Sequence, residues 1–246
     1  RLRGAGHATD FELALQARTS PAPAAAPPAS DALAHGLRAL RLQSAHAQGR
    51  WDAGVLRLER LQLRSDDAEL SGHAQWRLQG SDAPGGRAEL RLSAPGLRAS
   101  AQGELHAQRG GGQLSAELGD AARALAWARR LPGSQRWLDD AQAQGRATLQ
   151  ARWRGGWRDP TLDARLSVPK LDWRGAGSPP LQLRELQLTA DGRLAQARLD
   201  LRGQIAQGER RLRLALRASG GGSTPDTPLA QASWRVQVEP WQAEWH

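Results

Sequence analysis

The chain has no cysteine, no tyrosine, one phenylalanine and one lysine, Lys170, in 246 residues. Without cysteine there is neither a disulfide framework nor a thiolate metal site. No run approaches the roughly 18 apolar residues of a membrane-crossing helix, so a signal or anchor would lie outside this stretch. Catalytic signatures are missing as well. No two of His7, His35, His46, His73, His106 and His246 stand three or four apart, and there is no H-E-x-x-H run. His7 with Asp10, Asp31 with His35 and Glu69 with His73 have ligand-like spacing. Such spacing converges only on a helix, and His7 and His73 lie beside strand-like runs. The adjacent carboxylates Asp66-Asp67 and Asp139-Asp140 do not face each other on a strand or a helix, so they form no acid/base pair. No glycine-rich phosphate loop joins a strand to a helix. The expectation is a non-enzyme with no metal and no cofactor.

What is present is leucine, alanine, arginine, glycine and ten tryptophans, with 39% hydrophobic residues overall. A core made from one branched aliphatic and many alanines packs poorly, which favours a thin sheet over a deep globule. The net charge of +9 raises nucleic acid or an anionic surface as partners. The arginines recur along the whole chain between Asp and Glu, however, whereas a nucleic-acid reader concentrates them on one face. They read as hydrated strand faces, and no nucleic-acid partner is expected. The Arg-Gly-Gly triplets at Arg109 and Arg154 read as turn glycines.

Apolar residues alternate at period two from end to end: Phe11, Leu13 and Leu15; Leu61 and Leu63; Leu90 and Leu92; Leu114, Ala116 and Leu118; Ala147, Leu149, Ala151 and Trp153; Leu162, Ala164, Leu166 and Val168; Leu212, Leu214 and Leu216. Clean alternation belongs to antiparallel sheets with one wet face, joined here as a meander. Breaks are expected at Pro84-Gly85-Gly86, Pro95-Gly96, Gly110 to Gly112, Asp191-Gly192 and Gly220 to Gly222. The spacing L-x-x-L-x-L occurs at Leu58, Leu61 and Leu63, at Leu183, Leu186 and Leu188, and at Leu37, Leu40 and Leu42. Its three-residue step flips the phase of the alternation, as a β-bulge does.

Two segments break the pattern. Residues 20–30 are rich in Pro and Ala and read as a surface loop or disordered insertion. Asp120 to Leu131 has helical spacing, with Asp120 as N-cap, Ala121, Leu125, Ala128 and Leu131 on one face, and Pro132-Gly133 as the stop. A second short helix is expected over Ser134 to Ala143. The division is therefore a β-rich segment 1–118, a helical insert 119–143 and a β-rich segment 144–246. Arg1 and the Trp-rich run before His246 stand mid-pattern, as in an internal piece of something longer.

Leu131 through Pro132-Gly133, Gly145, Trp153, Gly155-Gly156 and Pro160, then Leu162, Ala164, Leu166, Leu171 and the Leu181 to Leu188 pattern, resemble the repeating middle of the TamB family of AsmA-like envelope proteins. The closing Trp234 to Trp241 segment is similar in character. The resemblance is a diffuse pattern of Leu, Gly and Trp across most of the chain. It implies an inner-membrane-anchored protein that crosses the periplasm of a Gram-negative bacterium as a long curved antiparallel sheet with a taco-like apolar groove. It also implies a TamA-type outer-membrane barrel as partner, and roles in outer-membrane protein assembly and phospholipid transport.

The expected fold is all-β, with a short helical insert. Groove candidates are Leu149, Leu166, Leu183, Leu188, Leu199 and Leu214, with phospholipid acyl chains as the guests. Three alternatives stay open: ordinary core of a closed sandwich, a module that pairs with nascent outer-membrane strands by β-augmentation, and an envelope carbohydrate enzyme, which would need clustered carboxylates at one end of the sheet.

Overall fold

In a computed structural model, the structure describes residues 2–5, 8–16, 41–77, 85–131, 134, 138, 140–156, 158–175, 177, 179–193, 196–221, 233–238 and 242–245. The Pro/Ala-rich stretch 20–30 lies outside them, as do Leu37 and Leu40. One open, curved antiparallel sheet of fifteen strands dominates. Its strands are β1 Leu2–Ala5, β2 Ala8–Gln16, β3 Leu42–Asp52, β4 Val55–Ser65, β5 Glu69–Arg77, β6 Gly85–Ala94, β7 Leu97–Leu105 and β8 Gly110–Leu118. There follow β9 Gln142–Arg154, β10 Thr161–Arg174, β11 Leu181–Arg193, β12 Gln196–Gln207, β13 Arg210–Gly221, β14 Ser233–Val238 and β15 Gln242–Trp245. Among the described residues a single helix, α1 Ala121–Ala128, stands between β8 and β9.

Every strand from β1 to β13 pairs with the next in sequence, and β15 pairs with β13. This is the expected meander. β8 pairs directly with β9 across the insert, so the two β-rich segments are parts of one sheet. Because side chains alternate and cross-strand partners share a face, register converts each strand's alternation into rows. One row runs Ala45, Leu63, Leu70, Leu92, Ala99, Ala116, Leu149, Leu166, Leu188, Leu201, Leu216. Beside it runs a second: Ala47, Leu61, Gly72, Leu90, Ala101, Leu114, Ala151, Ala164, Ala190, Leu199, Ala218. The opposite face carries Arg91, Arg165, Asp200 and Arg217, with ion pairs such as Arg217 to Asp200 at 3.1 Å.

The bulges fall where the leucine spacing puts them. Pairing of β4 with β5 shifts between Leu58 and Leu61, and that of β11 with β12 shifts between Arg184 and Gln187. In each case the extra residue returns the following leucine to the apolar face.

Each expected glycine break marks a connection between strands, but only Pro95-Gly96 is itself a turn; Gly85-Gly86, Gly110 to Gly112, Asp191-Gly192 and Gly220-Gly221 are strand residues at or near the strand ends beside the connections, and Pro84 and Gly222 lie outside the described residues. Two of these glycines lie under tryptophan. A Cβ on Gly112 would sit 2.2 Å from Cζ2 of Trp153, and one on Gly86 would sit 2.7 Å from Cε3 of Trp76. Glycine here makes room for an indole on the neighbouring strand.

Helix α1 forms as its sequence dictates: Asp120 Oδ1 accepts from Arg123 N at 3.0 Å, and Ala121 and Leu125 are buried. The second expected helix is corrected at its end, where Gln142 and Ala143 begin β9. Pairing with β10 claims them, Ala143 opposite Trp173. Of the rest, Leu138 N bonds to Ser134 O in one helical turn, 3.2 Å.

Candidate functional site

Among the described residues no large side chain is fully buried, and the core is mostly alanine: Ala94, Ala121, Ala124, Ala141, Ala143 and Ala218, with Leu125 and Val168. A closed sandwich would bury its inner leucines. Here the leucines of the apolar face remain half-buried, shielded sideways by neighbours in the same sheet.

The six candidate leucines all lie on that face. Leu149, Leu166 and Leu188 stand directly across from one another on β9, β10 and β11. Leu199 belongs to the neighbouring row, between Ala190 and Ala218. Leu183 pairs with Leu171 and Ile205 beyond the β11 bulge, and Leu214 faces Gly203. All six are half-buried. The candidates come only from the second half, but the face continues through Leu61, Leu63, Leu70, Leu90, Leu92 and Leu114.

Two rows missed in the sequence edge this face. On one margin Trp51 pairs with Leu56 and Leu56 with Trp76. One row further in, the indole of Trp153 crosses Gly112 and reaches Gly103 on the strand beyond, with its Nε1 at 3.5 Å from Glu104 O. On the other margin Trp173 and Leu171 pack with Leu118 and Leu138 against Ala121, Leu125, Ala141 and Ala143. The insert therefore covers one end of the apolar face and leaves the Leu149 row clear. Within it Arg129 Nε donates to Leu138 O at 2.8 Å, and the Arg130 to Asp67 ion pair ties it back to the sheet.

From β3 to β13 the two rows extend about 48 Å at the usual strand spacing and occupy about 13 Å along the strands. That is a face of about 650 Å², against 300–600 Å² for the largest apolar patch of an ordinary monomer. Its length is about three times the thickness of one leaflet's hydrocarbon, so acyl chains fit on it by size.

Among the described residues the polar face offers no catalytic arrangement of comparable definition. Asp163 and Asp191 meet across β10 and β11, exposed between Arg152 and Arg198. No group of three or more His, Asp or Glu among the described residues could hold a metal. His46 and His73 take polar-face positions, and His7, His35 and His246 lie outside the described residues. Asp10 is held below the usual aspartate range by its hydrogen bonds to Arg50, one of them 3.1 Å; this is a surface pair between β2 and β3. No family model, curated protein or solved structure matches this chain.

Proposed function

We propose that this chain is a non-catalytic segment of a TamB-like protein, anchored in the inner membrane and spanning the periplasm of a Gram-negative bacterium. Its apolar face carries phospholipid acyl chains toward the outer membrane, and the parent protein serves outer-membrane assembly with a TamA-type barrel. The supporting observation is the apolar face, paired in register over eleven strands from β3 to β13, on which the insert at one end is the one covering element among the described residues. Such a face in water needs a guest. Each methylene shielded is worth about 0.8 kcal/mol, enough to offset much of what a tail loses on leaving the bilayer. Transfer between two apolar surroundings is then nearly balanced, so the sheet acts as a passive conduit whose outer arginines stay hydrated.

Native mass spectrometry of the chain, released gently from its expression host, tests this. The expected result is a series of adducts at phospholipid masses; a lipid-free, compact monomer would overturn it. A second function, pairing with nascent strands, draws support from the open sheet, in which β1 pairs only with β2 and β14 only with β13 among the described residues. It predicts capture of an extended outer-membrane strand peptide with no lipid bound.

A further inference from the structure

At the tryptophan margin the polar face holds a cleft of about 780 Å³ lined by Arg77, Arg87, Arg109 and Arg158, with Glu104 and His106. These cations come from four places in the chain and are brought together by two loops clipped to each other. Arg158 N donates to Ala107 O at 3.2 Å, and Gly155 N donates to Gly110 O at 2.9 Å. Gly156 permits the contact, because a Cβ there would lie 2.2 Å from Ala107 O. Arg109 and Arg158 thereby reach one mouth, while β5 and β6 supply Arg77 and Arg87 on its floor, where Gln75 pairs with Arg87.

Among the described residues the lining carries four guanidinium groups and one carboxylate. Concentrated positive charge in a walled cleft raises the local concentration of anions, and guanidinium forks match phosphate oxygens in bidentate geometry. The cleft also adjoins the apolar face. Gly86 lines it and lies under the indole of Trp76, and Trp153 Nε1 reaches the carbonyl of Glu104 on its wall. Indoles beside cations are the composition of a boundary between acyl tails and headgroups.

We propose that this cleft binds the phosphate group of a ligand, either an anionic lipid headgroup whose tails turn over the tryptophan margin onto the apolar face or a free phosphate. The lipid source rests on the conduit function above; the phosphate chemistry does not.

Three probes separate these statements: inorganic phosphate, dihexanoyl phosphatidic acid below its micelle concentration, and dihexanoylglycerol, which has the same tails and no phosphate. Each is titrated against the 246-residue chain and its R87Q/R109Q variant at low salt, with calorimetry and phosphorus NMR as readouts. Both arginines are exposed, and the backbone bond from His106 N to Arg109 O is untouched by the substitution. Circular dichroism and the denaturation midpoint verify folding. The variant should bind inorganic phosphate and phosphatidic acid at least about tenfold more weakly, the scale of losing charge-assisted hydrogen bonds, and should bind dihexanoylglycerol unchanged. Undiminished phosphate binding in the folded variant overturns the site. If the parent chain binds inorganic phosphate as tightly as phosphatidic acid, the site stands with free phosphate as its source. Absence of dihexanoylglycerol binding, with arginine-dependent phosphate binding retained, removes the conduit and leaves the cleft.

Discussion

Truncating Leu166 to alanine measures whether the apolar face is open. Leu166 stands between Leu149 and Leu188 and is half-buried, with the insert packed elsewhere. Full burial of a leucine is worth about 1.5–3 kcal/mol, and a truncation that leaves an enclosed cavity costs about 2–5 kcal/mol. On an open face only about half the transfer term applies, and no sealed cavity forms because solvent fills the space. The expected loss is therefore about 1 kcal/mol, part of it the lower strand preference of alanine. Leu125 is the internal control, since it is 8% exposed and packed among Ala121, Ala141 and Ala143. Leu125→Ala should cost about 2–4 kcal/mol. Denaturation followed by tryptophan fluorescence gives the first number. Hydrogen exchange over α1 gives the second even if the insert opens on its own. A loss near 3 kcal/mol for Leu166→Ala, equal to the control, would mean that this face is enclosed and the openness argument wrong.

Leu199→Asp should abolish lipid adducts in native mass spectra while circular dichroism stays that of a β-protein; wholesale unfolding would point to a closed core. Gly112→Ala places a methyl group against Trp153 Cζ2 and, at 2.4 Å, against the Gln102 carbonyl. The backbone must shift, so a cost of about 1–3 kcal/mol with a red-shifted indole emission is expected, and an unchanged emission would contradict the stacking. Arg50 lowers the pKa of Asp10 in the folded chain, so the pair favours folding above the unfolded aspartate value and loses that effect as pH falls through the folded one. Carboxyl NMR should show Asp10 titrating below the ordinary aspartate range, and Arg50→Gln should return it there.

The legible features were local ones. Period-two alternation marked the apolar face, the Asp120 cap with its spaced apolar residues marked α1, and the three-residue leucine step marked the bulges. What the sequence concealed depends on register. Gly112 looks the same whether it turns the chain or lies beneath Trp153, and only the pairing of β8 with β9 tells which. Gly103 differs less still: its tryptophan stands fifty residues on, on a strand that is not its neighbour. The cleft was illegible for the same reason. Arg158 joins Arg109 beside Arg77 and Arg87 only because one glycine lets two loops touch, and the Arg-Gly-Gly triplets at Arg109 and Arg154 carried no sign of it.

The bulges connect the local pattern to the shape. A strictly alternating β4 would keep its leucines on one face without help, so a three-residue step that then needs an extra residue to restore register has a different use. Bulges bend a strand and sharpen its twist, and curved sheets are built with them. Leu58-Glu59-Arg60-Leu61 and Leu183-Arg184-Glu185-Leu186 place charged residues at the extra position. Glu59, Arg60 and Glu185 are exposed there, the last with φ 51, so the bend costs the apolar face nothing. Deleting Glu59 brings Leu61 within two residues of Leu58, which restores plain alternation with every leucine still on its face. The deletion variant should fold with stability within about 1 kcal/mol of the parent, since removing an unpaired residue leaves the ladder intact. If curvature is what holds a guest, lipid adducts in native spectra should fall while the β-structure persists. Unchanged adducts on the straightened sheet would show that the apolar rows alone suffice.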